Sequence, residues 1–401
     1  MSIQKKDKYT ISDVAQMLGV SRSTISRAMN NSPGVGEELR KKVLDFVEEI
    51  GYQPNTIARS LSKGRQSIIA LIVSDIRNPF YADLTFYIQK ILRNNGYMLM
   101  VLNSEYDIRR EKEFIHMAIQ FNFSGVFLLT AQSEEIEKEL ENIEIPVVLV
   151  NRILGSYEGD SVLSDNFKAG YIAAMHLIEL GYPEIAFVKG PDVSSASEQR
   201  FRGYRQALEN YRLPFKEQNV FRGDLKLDTG SELAKIYISD LKNRPKGIVI
   251  SNDMMAIGFV EHCRESGVKI PEQISVVSFD NIVFSSLYDI SLTTVSQHVR
   301  EMSEHAARLM LKQLKNPQEK PERVILDPTL IVRRTTCPYV PERDGEEGEA
   351  AGIHKRRGAA EGAGRRWVTA AEKAAGRGAG EGPDVPTVPD CLVPGRSAAE
   401  K

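Results

Sequence analysis

Between residues 65 and 340 the chain alternates short apolar runs with amphipathic helical patterns, and the alternation starts again near residue 184. Short apolar runs separated by helical patterns are typical of buried parallel strands joined by helical crossovers. The runs of the first set lie at 67–73, 98–102, 125–129 and 147–150, and those of the second set lie at 184–188, 247–251 and 274–279. The pattern therefore predicts two doubly wound α/β lobes.

The helical patterns between these runs include 167–180 and 254–266, each of which ends at a glycine. Two further segments come late in the chain. We expect residues 298–314 to complete the first lobe and residues 324–333 to complete the second. Because open parallel sheets bind ligands at the carboxyl ends of their strands, the cleft between the lobes is the expected ligand site.

A different pattern begins at residue 10. Thr10 and Asp13 have the spacing of a capping box, which predicts the start of a helix. Gly19 supplies the permissive backbone of a tight turn, and Ser21 can cap a second helix. Two short helices joined by a three-residue turn that contains glycine predict a helix-turn-helix over residues 10–29.

The second of these helices has an outward face that suits a nucleic acid. Arg22, Ser23 and Arg27 lie off its predicted apolar stripe. An arginine here can donate two hydrogen bonds to guanine, and Ser23 can contact a base edge or a phosphate. The alternative interpretation is that these are ordinary solvated side chains on a small helix.

A third helix is predicted over residues 37–50, with Gly36 as a weak N-cap. Residues 56–61 follow, and this segment is too short to be a stable helix by itself, so we expect it to order only on DNA. Leu61 at its end has two possible roles. It can be buried against the following domain, or it can insert between base steps of the minor groove.

Three phrases in this region resemble the LacI family of transcription regulators. They are T-I-x-D-V-A from residue 10, V-S-x-x-T-I-S-R from residue 20, and Y-x-P-N-x-x-A-R-S-L from residue 52. The resemblance continues to about residue 340 through phrases such as RNPFYADL, SDNFKAGY and RFRGYRQAL. It implies a small all-α helix-turn-helix headpiece followed by an α/β two-lobed core like that of periplasmic binding proteins.

The resemblance also implies roles for individual residues. Arg22 and Ser23 correspond to the base-reading pair, Arg27 to a further major-groove contact, and Leu61 to the minor-groove wedge with Ala58 packed beside it. The complete set of predicted DNA-contact residues is Thr10, Ser21, Arg22, Ser23, Arg27, Asn30, Ala58 and Leu61.

Six residues, two aromatic ones at the end of a predicted strand and four polar ones at predicted strand-to-helix junctions, are candidates for contacting an effector in the cleft. They are Phe80, Tyr81, Asp165, Arg200, Asn252 and Asp280. The rings can stack on a sugar or a purine, and the polar groups can orient a hydroxylated ligand. Aspartate and asparagine before a helix are more often caps, which is our interpretation of Asn166 and Asp253.

Two residues favour a carbohydrate-like effector. Leu225 stands where the purine-responsive type within the family has an aromatic residue, which makes a stacked purine less expected there. Arg77 replaces the small residue that is usual before the Asn-Pro-Phe phrase. Its side chain can either face solvent or contact an acidic sugar.

The net charge of -2 hides an uneven distribution. Residues 1–65 contain eleven Lys or Arg against seven Asp or Glu, a net charge of +4, and the last 61 residues contain ten against eleven, so the remainder carries -5. A basic headpiece on an acidic body restricts phosphate attraction to one end of the molecule.

Other classes of protein are disfavoured by what the sequence lacks. Its three cysteines have no paired spacing, and no apolar run approaches the ~20 residues that cross a bilayer, so we expect a cytoplasmic, nucleoid-associated protein without membrane contact. Motifs for phosphate loops, metal sites and nucleophiles are not recognisable, so no enzyme, metal or cofactor is expected. Residues 341–401, with 23 Ala or Gly, are expected to be disordered.

The predicted domains are therefore 8–64, 65–340 and 341–401. We predict a sequence-specific repressor that binds double-stranded DNA at a pseudo-palindromic operator as a homodimer, because one recognition helix reads only a few base pairs. A small-molecule effector, sugar-like, controls it by binding one arrangement of the lobes better than another. The alternative is a cytoplasmic sugar-sensing module without DNA function.

Overall fold

The computed structural model describes residues 9–52, 66–129, 134–141, 143–152, 155 and 157–341. The predicted hinge residues Ala58 and Leu61, and the predicted disordered tail after residue 341, lie outside the described residues. Within the described ranges, no helix combines the length and the apolar character that spanning a membrane requires.

Three short helices form the N-terminal region, namely α1 (Ile11–Leu18), α2 (Arg22–Met29) and α3 (Glu37–Glu49). Each helix contributes apolar side chains to one small core. The fully or almost fully buried members are Val14, Ala15, Ile25, Ala28 and Val43. The helix-turn-helix predicted over residues 10–29 is thus a packed unit with a third helix beneath it.

The ends of these helices follow the predicted capping pattern. The backbone N–H of Asp13 donates to Thr10 Oγ1 at 3.3 Å, and the Thr10 N–H donates to Asp13 Oδ2 at 2.8 Å, which is a complete capping box. Gly19 ends α1 at a φ of 66°, a conformation that glycine adopts at least cost. Ser21 Oγ accepts from the Thr24 N–H at 3.1 Å and caps α2, whereas Gly36 gives α3 no side-chain cap.

The first lobe is a six-stranded parallel sheet covered by helices. Its strands are β1 (Gln66–Val73), β2 (Met98–Asn103), β3 (Phe123–Leu128), β4 (Val147–Val150), β5 (Ser161–Ser164) and β11 (Arg323–Leu326), in the order β11-β5-β4-β3-β1-β2. Its helices are α4 (Pro79–Asn94), α5 (Ile108–Gln120), α6 (Glu134–Glu141) and α11 (Val299–Lys315). Strands β3, β4 and β5 are buried along their whole length, as central strands of a covered parallel sheet should be.

The second lobe repeats this architecture. Its strands are β6 (Ile185–Lys189), β7 (Val220–Arg222), β8 (Gly247–Ile250), β9 (Ser275–Asp280), β10 (Thr293–Ser296) and β12 (Thr329–Ile331), in the order β12-β10-β9-β8-β6-β7. Its helices are α7 (Asn166–Glu179), α8 (Ser195–Asn210), α9 (Leu227–Ile238) and α10 (Asp253–Glu265). The β10–β12 pair is antiparallel and the other pairs are parallel.

The chain passes between the lobes after β5, after β10 and after β11. The prediction that residues 298–314 return to the first lobe is correct, since α11 packs against α4 there. The prediction that residues 324–333 complete the second lobe is wrong for its first half. β11 pairs with β5 in the first lobe, and only β12 joins the second lobe. The prediction failed because an apolar run in the sequence does not indicate which strand it pairs with.

Candidate effector cleft and nucleic-acid interface

A polar cavity with an empty volume of about 350 Å³ lies between the two lobes, at the carboxyl ends of their strands. Its first-lobe wall is formed by Asn78, Phe80, Tyr81, Tyr106, Asn151 and Arg152. Its second-lobe wall is formed by Ser194, Ala196, Ser197, Arg200, Leu225, Ser251, Asn252 and Asp280, and Gln297 joins them from the passage after β10. This is the position that the fold class predicts for a ligand.

An ion pair between Arg200 and Asp280 lies at the centre of the second-lobe wall. Arg200 Nη2 lies 3.3 Å from Asp280 Oδ1, and the two side chains are only 5% and 7% exposed. Burial raises the pKa of Asp280 to about 7, although the nearby Arg200 opposes that shift. Burial likewise lowers the pKa of Arg200. Both shifts have the same cause, since a buried charge loses its hydration.

The Arg200 guanidinium is held from several sides. Its Nε donates to Asn166 Oδ1 at 2.9 Å, Nη1 donates to the Ser251 carbonyl, and the group lies 4.6 Å from the centre of the Phe279 ring. Helix α8, which carries Arg200, packs so closely on α7 that a Cβ at Gly170 would lie 1.9 Å from the Arg200 carbonyl oxygen. The guanidinium is therefore fixed by its neighbours before any ligand is considered.

A chain of amide hydrogen bonds connects Asp280 to the first lobe. Gln297 Nε2 donates to Asp280 Oδ1, Asn151 Nδ2 donates to Gln297 Oε1 at 2.6 Å, and Asn166 Nδ2 donates to Asn151 Oδ1 at 3.1 Å. Asp280 also has a φ of 109°, which costs a residue with a side chain of the order of 1–3 kcal/mol. Strained backbone of this kind is concentrated at functional sites.

The two predicted aromatic residues line the cavity, but they are largely buried. Phe80 and Tyr81 are each 4% exposed, and their rings meet edge to face at 5.4 Å. Tyr81 Oη accepts a hydrogen bond from Arg152 Nη2 at 2.9 Å and donates to Ser74 Oγ at 3.3 Å. The Tyr81 ring is therefore held in place by hydrogen bonds at its hydroxyl group, and the Phe80 ring packs against it.

Two of the predicted effector residues are helix caps. Asp165 does not line the cavity, since its carboxylate accepts from the Lys168 N–H at 2.8 Å and caps α7. Asn252 caps α10 by accepting from the Met255 N–H at 3.0 Å, and it lines the cavity at the same time. Its Nδ2 donates to the Leu225 carbonyl at 2.9 Å, which ties the loop after β7 to the site.

The interpretation of Asn166 and Asp253 as caps is wrong. Asn166 is buried and turns inward to Arg200, because the preceding Asp165 already caps α7. Asp253 is fully buried behind the cavity wall, where its carboxylate accepts from four donors. Those donors are Ser278, Ile282, Ser285 and Thr294. Burial raises the pKa of Asp253, and these hydrogen bonds counteract the shift.

Sequence reasoning missed Asn151, Arg152 and Gln297. Asn151 and Arg152 directly follow β4, so the rule that selected residues after strands could have found them. Arg152 is 5% exposed, and its Nη1 donates to the Asn151 carbonyl at 2.7 Å. Its Nε is buried without a hydrogen-bond partner among the described residues. Gln297 had no sequence signal, because its position depends on how the chain passes between the lobes.

Arg77 lies at the mouth of the cleft and not in the cavity. Its side chain is 75% exposed and forks onto Asp75, with Nε to Oδ1 at 2.9 Å and Nη2 to Oδ2 at 2.8 Å. The sequence allowed Arg77 either to face solvent or to contact an acidic sugar. The structure favours the first role, since the charge of Arg77 is already paired with Asp75. Among the described residues, no cluster of His, Cys, Asp or Glu is arranged to hold a metal ion.

The second candidate site is the outer face of α2. Arg22, Ser23 and Arg27 are exposed there, opposite the buried Ile25 and Ala28. Neither arginine forms an ion pair with a described residue. Two cationic groups and a hydroxyl are thus exposed on one short helix, and neither cation is paired within the described part of the chain.

Other predicted DNA-contact residues have local roles in the structure. Thr10 belongs to the capping box of α1, and Ser21 caps α2 while its Oγ lies 2.7 Å from Ser23 Oγ. Asn30 Nδ2 donates to the Ser26 carbonyl at 2.8 Å at the end of α2. Such groups lie at helix termini, where they can also contact a phosphate.

Comparison with known proteins relates both parts of the chain to one group. Residues 10–55 match the profile of bacterial regulatory proteins of the lacI family, and residues 174–336 match the profile of a periplasmic binding protein-like domain. The transcriptional regulator DegA of Bacillus subtilis is 31% identical over 335 residues, which covers 82% of this chain and 99% of DegA. The transcriptional repressor PurR of Vibrio campbellii is 29% identical over 328 residues, covering 81% of this chain and 98% of PurR.

Among solved structures, the complex of the transcriptional regulator CelR with cellobiose is similar, with a TM-score of 0.62, 26% identity and coverage of 82% of this chain and 100% of CelR. The relatives of this chain are transcriptional regulators and not enzymes. The helix-turn-helix and the two-lobed core both match this group, and the chain covers almost the full length of these relatives. The chain therefore belongs to the lacI family of bacterial DNA-binding transcriptional regulators.

Proposed function

We propose that this protein is a repressor that binds a pseudo-palindromic operator as a homodimer, and that a small carbohydrate-like effector in the inter-lobe cavity controls its operator affinity. The observation that carries the proposal is the buried Arg200–Asp280 pair, which is joined through Gln297 to Asn151 across the cleft. A ligand that bonds to these groups necessarily interacts with both lobes. It can then favour one lobe arrangement over another.

The exposed arginines of α2 support the DNA part of the proposal. Arg22 lies at the start of the helix and Arg27 in its last turn, so both are available to a duplex that accepts α2 in its major groove. An arginine that forks onto guanine discriminates against other bases by about 1–3 kcal/mol. We assign Ser23 to the same surface, and Thr10, Ser21 and Asn30 to the flanking phosphates. Leu61, with Ala58 beside it, remains the proposed minor-groove wedge.

The composition of the cavity supports a hydroxylated effector. Its walls combine amide, hydroxyl and charged groups with two aromatic side chains, and such a set of polar groups can orient a hydroxylated ligand. Leu225 lines the cavity at the position that favours a sugar over a stacked purine. The similar CelR structure contains cellobiose, which agrees with this choice of ligand class.

Exposed apolar side chains on both lobes support a homodimer. Ile76, Phe86 and Val101 are 55%, 59% and 37% exposed and lie together beside α4 and the edge strand β2. In the second lobe, Leu287 and Tyr288 are 49% and 76% exposed. Apolar groups clustered in this way are typical of surfaces that a partner covers. Two copies also place two recognition helices on the half-sites of one operator.

Selection of bound genomic fragments by the full chain tests the proposal. We expect enrichment of fragments that share a pseudo-palindrome, and retention that falls steeply with salt. Arg22→Ala should weaken the selected sites at least tenfold, whereas Arg323→Ala, which removes an exposed arginine from β11, should leave them unchanged. Retention without sequence selection or salt dependence would instead favour the sugar-sensing module.

A further inference from the structure

Arg152 is a second buried guanidinium in the effector cavity, and it lacks the kind of partner that Arg200 has. Arg200 pairs with Asp280 at 3.3 Å. Arg152 is equally buried, at 5% exposure, but the described residues provide it with no ion pair. A buried charge is ordinarily compensated by an opposite charge, because its hydration has been lost.

The hydrogen bonds of Arg152 are all to uncharged groups. Nη1 donates to the Asn151 carbonyl at 2.7 Å, and Nη2 donates to Tyr81 Oη at 2.9 Å. Its Nε, which is also buried, has no acceptor among the described residues. These contacts fix the plane of the guanidinium in the first-lobe wall, and they leave both its charge and one N–H unsatisfied.

The charges along the cavity wall do not balance. Two guanidinium groups, Arg152 and Arg200, face a single carboxylate, Asp280. Asp253 lies deeper, outside the lining, and already accepts from four donors. The repulsion between Arg152 and Arg200 contributes to the lowered pKa of Arg200. An anion in the cavity would remove this excess of positive charge.

We propose that the effector carries an oxyanion, the carboxylate of a sugar acid, which binds Arg152. This inference rests on the proposed effector function and adds a chemical class to its ligand. A planar guanidinium with a free N–H suits a carboxylate better than a hydroxyl.

The test is calorimetric titration of the full chain with matched sugars. D-glucose and D-galactose are compared with D-glucuronate and D-galacturonate, and glucose 6-phosphate is included because a phosphate offers the same oxyanion chemistry. We expect at least one uronate to bind ten times or more tighter than its neutral counterpart. Tighter binding of the sugar phosphate than of either uronate would support oxyanion recognition and identify phosphate as its source.

Variants then assign the preference to Arg152. Arg152→Met should weaken uronate binding about ten- to hundredfold and reduce the preference for a uronate over its neutral counterpart, because the charge-assisted hydrogen bonds to the carboxylate are lost. Arg152→Lys keeps the positive charge but not the planar guanidinium, so it should lose part of the preference for uronates over neutral sugars. This variant replaces Arg152→Met in the test if the Met variant does not fold. Arg77→Met removes a paired arginine at the cleft mouth and is the matched control, with the preference unchanged.

Three results would overturn the inference. They are equal binding of acids and neutral sugars to the unmodified protein, binding of none of the acids, and a preference that survives in both Arg152 variants. Retention of the unmodified protein on its selected DNA fragments, measured without sugar, tests the proposed regulator function separately. Failure of that retention would refute the proposed function, whereas it would not alter the ligand preference.

Discussion

Replacing Asp280 with alanine tests the central pair of the cavity. Asp280 is the only carboxylate within ion-pair distance of Arg200 in the described chain, and its Oδ1 also accepts from Gln297. The substitution leaves a guanidinium buried with two neutral acceptors, Asn166 Oδ1 and the Ser251 carbonyl. Its unfavourable backbone angle is unchanged, since alanine at a φ of 109° is strained like aspartate.

The magnitude follows from what the alanine leaves behind. Breaking a buried ion pair by removing one partner costs about 3–5 kcal/mol, since the other charge stays buried. The orphaned Gln297 amide adds about 1–3 kcal/mol, although a water that enters the space can reduce both terms. We therefore expect the Asp280→Ala variant to lose about 3–5 kcal/mol of unfolding free energy. Natural domains have about 5–15 kcal/mol in total, so the variant should fold but unfold at much lower urea concentration.

Urea denaturation followed by circular dichroism measures this loss at about pH 8, where Asp280 with its raised pKa of about 7 is ionised, and two further variants control it. Asp280→Asn keeps an oxygen acceptor for Arg200 and Gln297, so it should lose about 1 kcal/mol or less. Asp75→Ala breaks the ion pair to Arg77, whose side chain is 75% exposed, and exposed pairs contribute at most about 1 kcal/mol. If Asp280→Ala were no less stable than Asp75→Ala, the pair would not have the structural role described above.

Two further predictions concern the same wall. Because burial raises the pKa of Asp280 to about 7, from about 3.9 in an unfolded chain, the folded state retains a proton that the unfolded state has lost between these pH values. The stabilisation from this group is thus complete below about pH 4 and is lost as the pH rises through about 7. Between these pH values, urea denaturation should show a steeper fall of the unfolding free energy with pH for the unmodified protein than for Asp280→Asn. Equal slopes for the two proteins would contradict the assignment. Gly170→Ala places a methyl group 1.9 Å from the Arg200 carbonyl oxygen and should lower the unfolding free energy by more than about 3 kcal/mol in the same assay. Gly36→Ala is the control, because the space around Gly36 is open, and it should lower the unfolding free energy by less than about 1 kcal/mol. Similar losses for the two variants would refute the close packing of α7 on α8 as the reason.

Much of the local structure could be predicted because it depends on neighbours in the sequence. The capping box of Thr10 and Asp13 and the Ser21 cap involve residues three positions apart, so spacing alone defines them. The strand and helix alternation predicted the two lobes for the same reason. Where two adjacent polar residues precede one helix, however, the sequence did not indicate which of them caps it. Asp165 caps α7 and frees Asn166 to bond Arg200.

The other errors share a cause, which is dependence on distant parts of the chain. The partner of β11 is β5, more than a hundred residues earlier, and an apolar run carries no information about which strand it will join. Arg152 and Gln297 enter the cavity because two separate passages of the chain place them there. The charge imbalance at Arg152 can be recognised only when the distances to Asp280 and Arg200 are known.

The sequence by itself determined the family, the fold class and the helix on which Arg22 and Arg27 are exposed, because each of these depends on short-range spacing and composition. The tertiary structure alone decided which polar residues meet between the lobes and which carboxylate pairs with which guanidinium. The physical reason is that electrostatic interactions depend on distance and burial, and both are set when strands far apart in the chain are brought into one site.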